Sequence, residues 1–189
     1  MTRNADDEGS GATNTPGADL GALRFRKDST SAARGTTTAD MQLRPVVASD
    51  RQKIRRWAQA INSSEFMARF EPQLDRYLAW DIVLVGRQEV GVIWLERTDI
   101  QSEARLGVML AASDLTGRGI GRSAVSLMLA KAQQLLSLNV IVLNVREANT
   151  RAIACYLQCG FRLESFSLRS VNGLEYAVCS MRRTLVHAS

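Results

Sequence analysis

The chain has 189 residues, 46% of them apolar and 23% charged, and a formal net charge of +5. These are ordinary values for a globular protein, and the length sets one domain as the expectation. No apolar run approaches the roughly 20 residues that a membrane helix needs, and the N-terminus has no apolar stretch of signal-peptide type, so neither a membrane span nor a secretory leader is expected.

Residues 1–40 hold five Gly and seven Thr, with only Met1, Leu20, Leu23 and Phe25 as large apolar residues. Such a stretch buries too little apolar surface to offset its ordering entropy, so a disordered extension is expected at 1–40, with a transient helix at 20–27. The folded domain is then 41–189. The charge changes at the same border: five basic and six acidic groups give −1 over 1–40, and nineteen and thirteen give +6 over 41–189. A basic domain favours anionic partners. It has no aromatic-plus-basic stripe of the kind that binds single strands, so most of the charge reads as solvated surface and no nucleic-acid partner is expected.

From residue 41 the periodicity changes element by element. Residues 43–47 read as a short strand. Ser49 and Asp50 offer a helix cap, and Ile54, Trp57, Ala58 and Ile61 recur at helical spacing. A second short helix is expected at 64–70. Two apolar runs, 82–86 and 89–96, are split by Arg87 and Gln88 and read as a hairpin. Residues 104–110 form a further strand, and 121–136 have the length and broad apolar face of a helix. The near-continuous apolar run 140–145 predicts a buried strand. A helix at 149–158 and strands at 161–168 and 174–181 complete the chain. The order predicts an α+β fold: a mixed, mostly antiparallel sheet of about six or seven strands, about four helices, and one parallel crossover near its middle.

Three cysteines, Cys155, Cys159 and Cys179, cannot all pair, and their spacing fits no zinc pattern. Buried free thiols are expected, in a reducing cytoplasm. The single histidine, His187, lies two residues from the end, so a Ser-His-Asp hydrolase or a histidine-rich metal site would depend on a frayed tail. No metal is expected.

The segment Leu115-Thr116-Gly117-Arg118-Gly119-Ile120-Gly121-Arg122-Ser123 lies between a strand and a helix. Three glycines at alternate positions let the backbone turn and approach a ligand closely. The helix that follows begins with unpaired N–H groups and the positive end of its dipole, which together make an anion site. Arg118 and Arg122 add mobile charge. The loop is no P-loop, because no Gly-Lys-Ser/Thr follows, and Arg122 stands where the dinucleotide fingerprint requires its third glycine. Taken alone, a glycine-rich turn that merely starts a helix remains open.

A second segment bears on that choice. In Asn149-Thr150-Arg151-Ala152-Ile153-Ala154-Cys155-Tyr156-Leu157-Gln158-Cys159-Gly160-Phe161, Asn149 can cap a helix and Gly160 can end it. In this order and spacing the two segments resemble the GNAT superfamily of N-acetyltransferases. That family's loop reads Gln/Arg-x-x-Gly-x-Gly/Ala, matched by Gly119 and Gly121, and its later segment reads Asn-x-x-Ala-x-x-x-Tyr-x-x-x-Gly-Phe, matched by Asn149, Ala152, Tyr156, Gly160 and Phe161. Thr116 departs from the loop's first position. The resemblance covers about 41–183.

The resemblance implies acetyl-CoA as cosubstrate and a central pair of parallel strands, 104–110 and 140–145, that splay apart. Backbone groups of Val108, Met109 and Leu110 would pair with the pantetheine arm. N–H groups of Gly117, Arg118, Gly119, Ile120, Gly121, Arg122 and Ser123 would hold the pyrophosphate, Thr116 would belong to the same cofactor-binding loop, and Asn149 would touch the arm. Tyr156 matches the family's general acid, donating to the departing thiolate. Glu103 and Glu96 are the candidate bases for the amine, directly or through water. Cys155 would face elsewhere, and no covalent intermediate is implied.

The implied reaction is transfer of acetyl from acetyl-CoA to a primary amine in a ternary complex, by a cytoplasmic monomer or homodimer. The acceptor is a small-molecule amine or amino sugar; a protein N-terminus or lysine is the alternative, and a non-catalytic acyl-CoA-binding module is a third reading. Residues 91–108 loosely resemble the branch that acetylates ribosomal-protein N-termini and amino sugars. Acceptor pockets in this fold come from the first helices and the last hairpin, here about 57–80 and 165–176, which include Trp57, Phe66, Phe70, Tyr77 and Trp80.

Overall fold

Seven apolar-rich segments pair edge to edge into one seven-stranded sheet. The computed structural model describes residues 40–61, 76–135, 137–171 and 173–186. The strands are β1 (Met41–Pro45), β2 (Tyr77–Val85), β3 (Gln88–Arg97), β4 (Glu103–Leu110), β5 (Val140–Arg146), β6 (Arg162–Val171) and β7 (Leu174–Thr184), and they lie in the order β1-β2-β3-β4-β5-β7-β6. Three α-helices accompany them among the described residues: α1 (Arg51–Ala60), α2 (Ile120–Leu135) and α3 (Thr150–Gln158). The extension expected at 1–40 and the helix expected at 64–70 lie outside the described residues, as do His187, Phe66 and Phe70.

All neighbouring strands pair antiparallel except β4 and β5, which are parallel and joined through α2. The mixed, mostly antiparallel sheet with its single parallel crossover is thus the one the element order predicts. Each face of the sheet carries its own core. On one face the buried side of α2 (Ala124, Val125, Met128, Ala132) packs with Tyr156, Cys159 and Phe161 against Ile93, Ile141 and Met181. On the other, Ile54 and Ala58 of α1 pack against Ile82, Val92 and Met109. Helical spacing puts Ile54 and Ala58 on one stripe, which is why the sequence period identified α1.

Several boundaries moved for physical reasons. β2 begins at Tyr77, five residues before the expected strand. Asp81 interrupts the apolar run there, yet it is 0% exposed, with its carboxylate 2.6 and 2.9 Å from Lys131 Nζ of α2. This ion pair ties α2 to the sheet. Asp50, expected as the cap of α1, makes no side-chain cap bond to that helix. It follows a 3-10 turn at Ala48–Asp50, and its carboxylate accepts from the Val47 N–H at 2.9 Å while pairing with Arg44 at 2.9 Å and Lys53 at 3.1 Å. Glu89 closes this network by pairing with both Arg44 and Lys53. No helix among the described residues is long and apolar enough to cross a membrane.

Candidate active site

The parallel pairing of β4 and β5 is short. Glu103, Ala104 and Arg105 sit opposite Val140, Ile141 and Val142, and the pairing ends there. β4 continues to Leu110 on β3, with Gly91 opposite Leu110, while β5 continues to Arg146 on β7, with Val178 opposite Arg146. The two strands therefore diverge, each carried away by its outer neighbour. Backbone groups on the inner edge of β4 from Leu106 to Leu110 have no strand partner in β5. Such groups need a hydrogen-bonding partner of their own, solvent or ligand.

The loop at 116–119 stands at the open end of this gap. Gly117 and Gly119 both have φ +80, a left-handed backbone that glycine alone adopts without strain. That conformation brings the chain into α2. The Ser123 N–H donates to Gly119 O at 3.0 Å, the first bond of the helix. The Ser123 N–H, expected to face the anion, is thus already used, as is that of Thr116, which donates to Ser113 O at 3.1 Å. The free donors are the N–H groups of the first turn, Ile120, Gly121 and Arg122, which have no partner within a helix. The Ile120 side chain is buried in the core and anchors the turn, so only its backbone is available. A Cβ on Gly121 would meet nothing within 4 Å, which leaves room for a ligand against the backbone.

A cavity of about 870 Å³ runs from this loop along the gap. Of the residues expected to hold the cofactor, it is lined by Val108, Met109, Leu110, Thr116, Gly117, Arg118, Gly119, Gly121, Arg122 and Asn149. Ile120 and Ser123 are absent from its wall, for the reasons just given. Arg118 pairs loosely with Asp114 at 3.6 Å, both side chains being exposed. Arg122 Nη1 lies 3.1 Å from Gln158 Oε1 of α3. Asn149 caps α3, its Oδ1 accepting from the Ala152 N–H at 3.1 Å, which leaves the amide nitrogen for another acceptor.

α3 supplies the far wall. Ala152, Cys155 and Tyr156 all line the cavity because residues three and four apart share a helix face. Cys155, expected to face elsewhere, is thus part of the site. Hydrogen bonding to Cys159 and burial push its thiol up, so it stays protonated and is a poor nucleophile. Tyr156 is buried, its ring edge-on to Phe161 with centroids 5.9 Å apart. Burial, with smaller contributions from Cys155 and Cys159, pushes its hydroxyl well above the ordinary tyrosine range. Like any tyrosine it is a neutral donor at neutral pH, and the shift extends that form into the alkaline range.

The two carboxylates expected as bases are not brought to the cavity. Glu103 opens β4 at its paired end, roughly 13 Å along the strand from Gly107 at about 3.3 Å per residue. It is 7% exposed and bonded to Arg182 of β7 at 3.1 Å. Glu96 is half-buried on β3, two residues beyond Trp94 and therefore on the same face, with Arg76 at 3.8 Å. Among the described residues, no carboxylate lines the cavity. The aromatic residues also sort themselves. Tyr77 stacks on Trp80 at 5.2 Å, and Trp57 and Trp80 pack with the α1 core. The aromatic wall of the cavity on that face is Trp94, beside Ile61. Trp94 stands opposite Gly107, a large residue across from a small one, and only the register of the two strands reveals it.

The acetyltransferase (GNAT) domain family matches residues 18–162, most of the chain. The chain belongs to the GNAT acetyltransferase family. Its match begins within the first 40 residues and runs one residue past Phe161. Solved structures similar to this GNAT chain include spermidine N-acetyltransferases of Vibrio cholerae. One in complex with CoA and spermine is 20% identical, with a TM-score of 0.62 over 77% of this chain and 96% of that one. One in complex with manganese ions is 20% identical, with a TM-score of 0.64 over 78% and 94%. A dodecameric form in an intermediate state is 20% identical, with a TM-score of 0.64 over 77% and 94%. At this identity the likeness is one of fold, and it agrees with the splayed sheet. The family makes the GNAT chain an acetyltransferase; among its described residues no group of His, Cys, Asp and Glu could hold a metal ion.

Proposed function

We propose that the protein transfers the acetyl group of acetyl-CoA to the primary amine of a small molecule, by direct attack in a ternary complex. The observation that carries this reading is the β4–β5 gap, which opens onto the unpartnered N–H groups of the first turn of α2 with Tyr156 on its wall. The dimensions suit a long ligand with an anionic end. Its amide-bearing arm would pair with the free edge of β4 at Val108–Leu110, and its pyrophosphate would sit on Gly119–Arg122. The Vibrio cholerae structure with CoA and spermine supports both the cosubstrate and an amine acceptor by analogy.

The residues then divide the chemistry. N–H groups of β4 near Val108–Leu110 polarise the thioester carbonyl and stabilise the oxyanion that forms as the amine attacks. Tyr156, protonated at neutral pH, gives its proton to the departing thiolate. The proton lost by the amine passes through water to Glu96, which lies outside the cavity wall on the face of β3 that carries Trp94. Glu103, held by Arg182 away from the cavity, plays no direct part. Trp94 and Ile61 form an apolar wall for the carbon skeleton of the acceptor, an amino sugar or another small amine.

The test is thiol release from acetyl-CoA across a panel of polyamines, amino sugars, aminoglycosides and peptides. Turnover on a small amine is the expected result. Turnover confined to a peptide would reassign the acceptor to a protein N-terminus or lysine. CoA binding without turnover on any acceptor would overturn the enzymatic reading in favour of a binding module.

A further inference from the structure

The loop that opens α2 has a threonine, Thr116, where the family pattern carries Gln or Arg. The position is nevertheless not left without a cation. Arg151, in the first turn of α3, donates from Nη1 to Thr116 Oγ1, and the threonine hydroxyl in turn donates to Ser113 O at 2.6 Å. A chain of two hydrogen bonds thus carries a guanidinium from one helix onto the start of the loop that precedes the other. Arg151 lines the same cavity as Gly119 and Gly121.

The charge balance at this mouth is uneven. Three guanidiniums, Arg118, Arg122 and Arg151, line it. Among the described residues only Arg118 has a carboxylate partner, Asp114, while Arg122 and Arg151 rest on the neutral side chains of Gln158 and Thr116. Neutral partners hold a cation in place without cancelling its charge. An arginine so held presents donors in a fixed fork suited to phosphate oxygens.

We propose that Arg151 supplies, from α3, the phosphate-binding side chain that the loop lacks at position 116. This rests on the CoA-binding reading above and names a residue outside the loop. The ligand chemistry is a phosphate of the cosubstrate, either the pyrophosphate or the 3′-phosphate on the ribose. Thr116 holds the guanidinium ready, so ligand binding need not order a free arginine side chain.

Calorimetric titration of the full chain with CoA and with dephospho-CoA tests this. The variants are Arg151→Ala, Arg151→Gln, Gly119→Asp and Arg151→Ala with Thr116→Arg. Arg151→Ala is expected to weaken CoA binding about tenfold, as the loss of one charge-assisted hydrogen bond. Arg151→Gln, which can still bond Thr116 but carries no charge, should lose as much. Adding Thr116→Arg to Arg151→Ala should recover most of the loss, and the same change in the wild type should gain less. An equal loss toward both ligands places the arginine on the pyrophosphate; a loss toward CoA alone places it on the 3′-phosphate. Wild-type affinity in Arg151→Gln would show that the residue only positions the loop and would overturn the proposal. So would unchanged binding by Arg151→Ala while Gly119→Asp loses it. Failure of the wild type to bind CoA at all would overturn the parent reading as well.

Discussion

Trp94 lies flat against the backbone of Gly107 on the neighbouring strand: a Cβ placed on Gly107 would sit 2.0 Å from Trp94 Cζ2. The contact leaves no room for even a methyl group, and the indole is also a wall of the cavity. Gly107→Ala must therefore displace the ring. The expected cost is about 1–3 kcal/mol of stability from overpacking. Denaturant melts read by tryptophan emission will check this, and an unchanged midpoint would show that the ring moves freely. Because Trp94 faces the proposed acceptor, KM for the amine should change more than KM for acetyl-CoA.

Gly119 combines φ +80 with a place in the proposed anion cradle. Gly119→Asp adds a strained backbone and a like charge at once. CoA affinity should fall on the order of a hundredfold, from strain of about 1–3 kcal/mol plus repulsion. Equilibrium binding measures it; an affinity equal to the wild type would remove the loop from the cofactor site.

Tyr156→Phe keeps the ring against Phe161 and removes the hydroxyl. kcat should fall by about a hundredfold, in the range of a single general acid, with KM for acetyl-CoA little changed. Equal losses in both would assign Tyr156 to packing. The pH profile offers a second check. Burial raises the hydroxyl above the ordinary tyrosine value, so the donor form persists at pH 10. A decline in kcat between pH 8 and 9 thus belongs to another group.

Glu96 and Glu103 are separable by experiment. Glu96→Gln should lower kcat/KM about tenfold or more with an unchanged melting temperature. Glu103→Gln should leave kcat/KM near the wild-type value and reduce stability by about 1–3 kcal/mol, because the buried end of its bond to Arg182 is weakened. The reverse pattern would return the base role to Glu103.

Asp50 predicts an acid limit to stability. The Arg44 guanidinium beside it, with the Val47 N–H and Lys53, holds its carboxyl well below the usual carboxylate range. The folded pKa is depressed, so the stabilisation is fully present above the unfolded value near 4 and is lost as pH falls below it. Asp50→Asn should flatten the stability curve below pH 4 and lower the plateau at pH 7 by about 1–3 kcal/mol. Urea melts from pH 3 to 7 will show whether the two curves converge in acid.

Features written in neighbouring residues were legible in the sequence. The α1 stripe of Ile54 and Ala58, the glycines at 117–121 and the Asn149 cap each follow from spacing within one turn or one loop. Residues whose fate depends on a distant partner were not. The expected strand began only at 82, after Asp81, because Lys131, which neutralises that carboxylate, lies fifty positions later. Glu103 read as a free carboxylate for want of Arg182. Arg151 was given no role, since nothing local says that Thr116 is beside it. Cys155 is a different case: the helical period places it on the wall of Ala152 and Tyr156, and that arithmetic was available from the sequence.

Three opposed residue pairs are all that join β4 to β5 before the strands separate. The sheet is in effect two half-sheets, β1–β4 and β5–β7, clasped at one end like a clothes-peg. A ligand arm laid in the gap would serve as the missing rung between them. Amide protons on the inner edges of Leu106–Leu110 and Leu143–Val145 should then exchange quickly in the free protein and slowly in the complex, as a stability difference confined to the jaws of the peg.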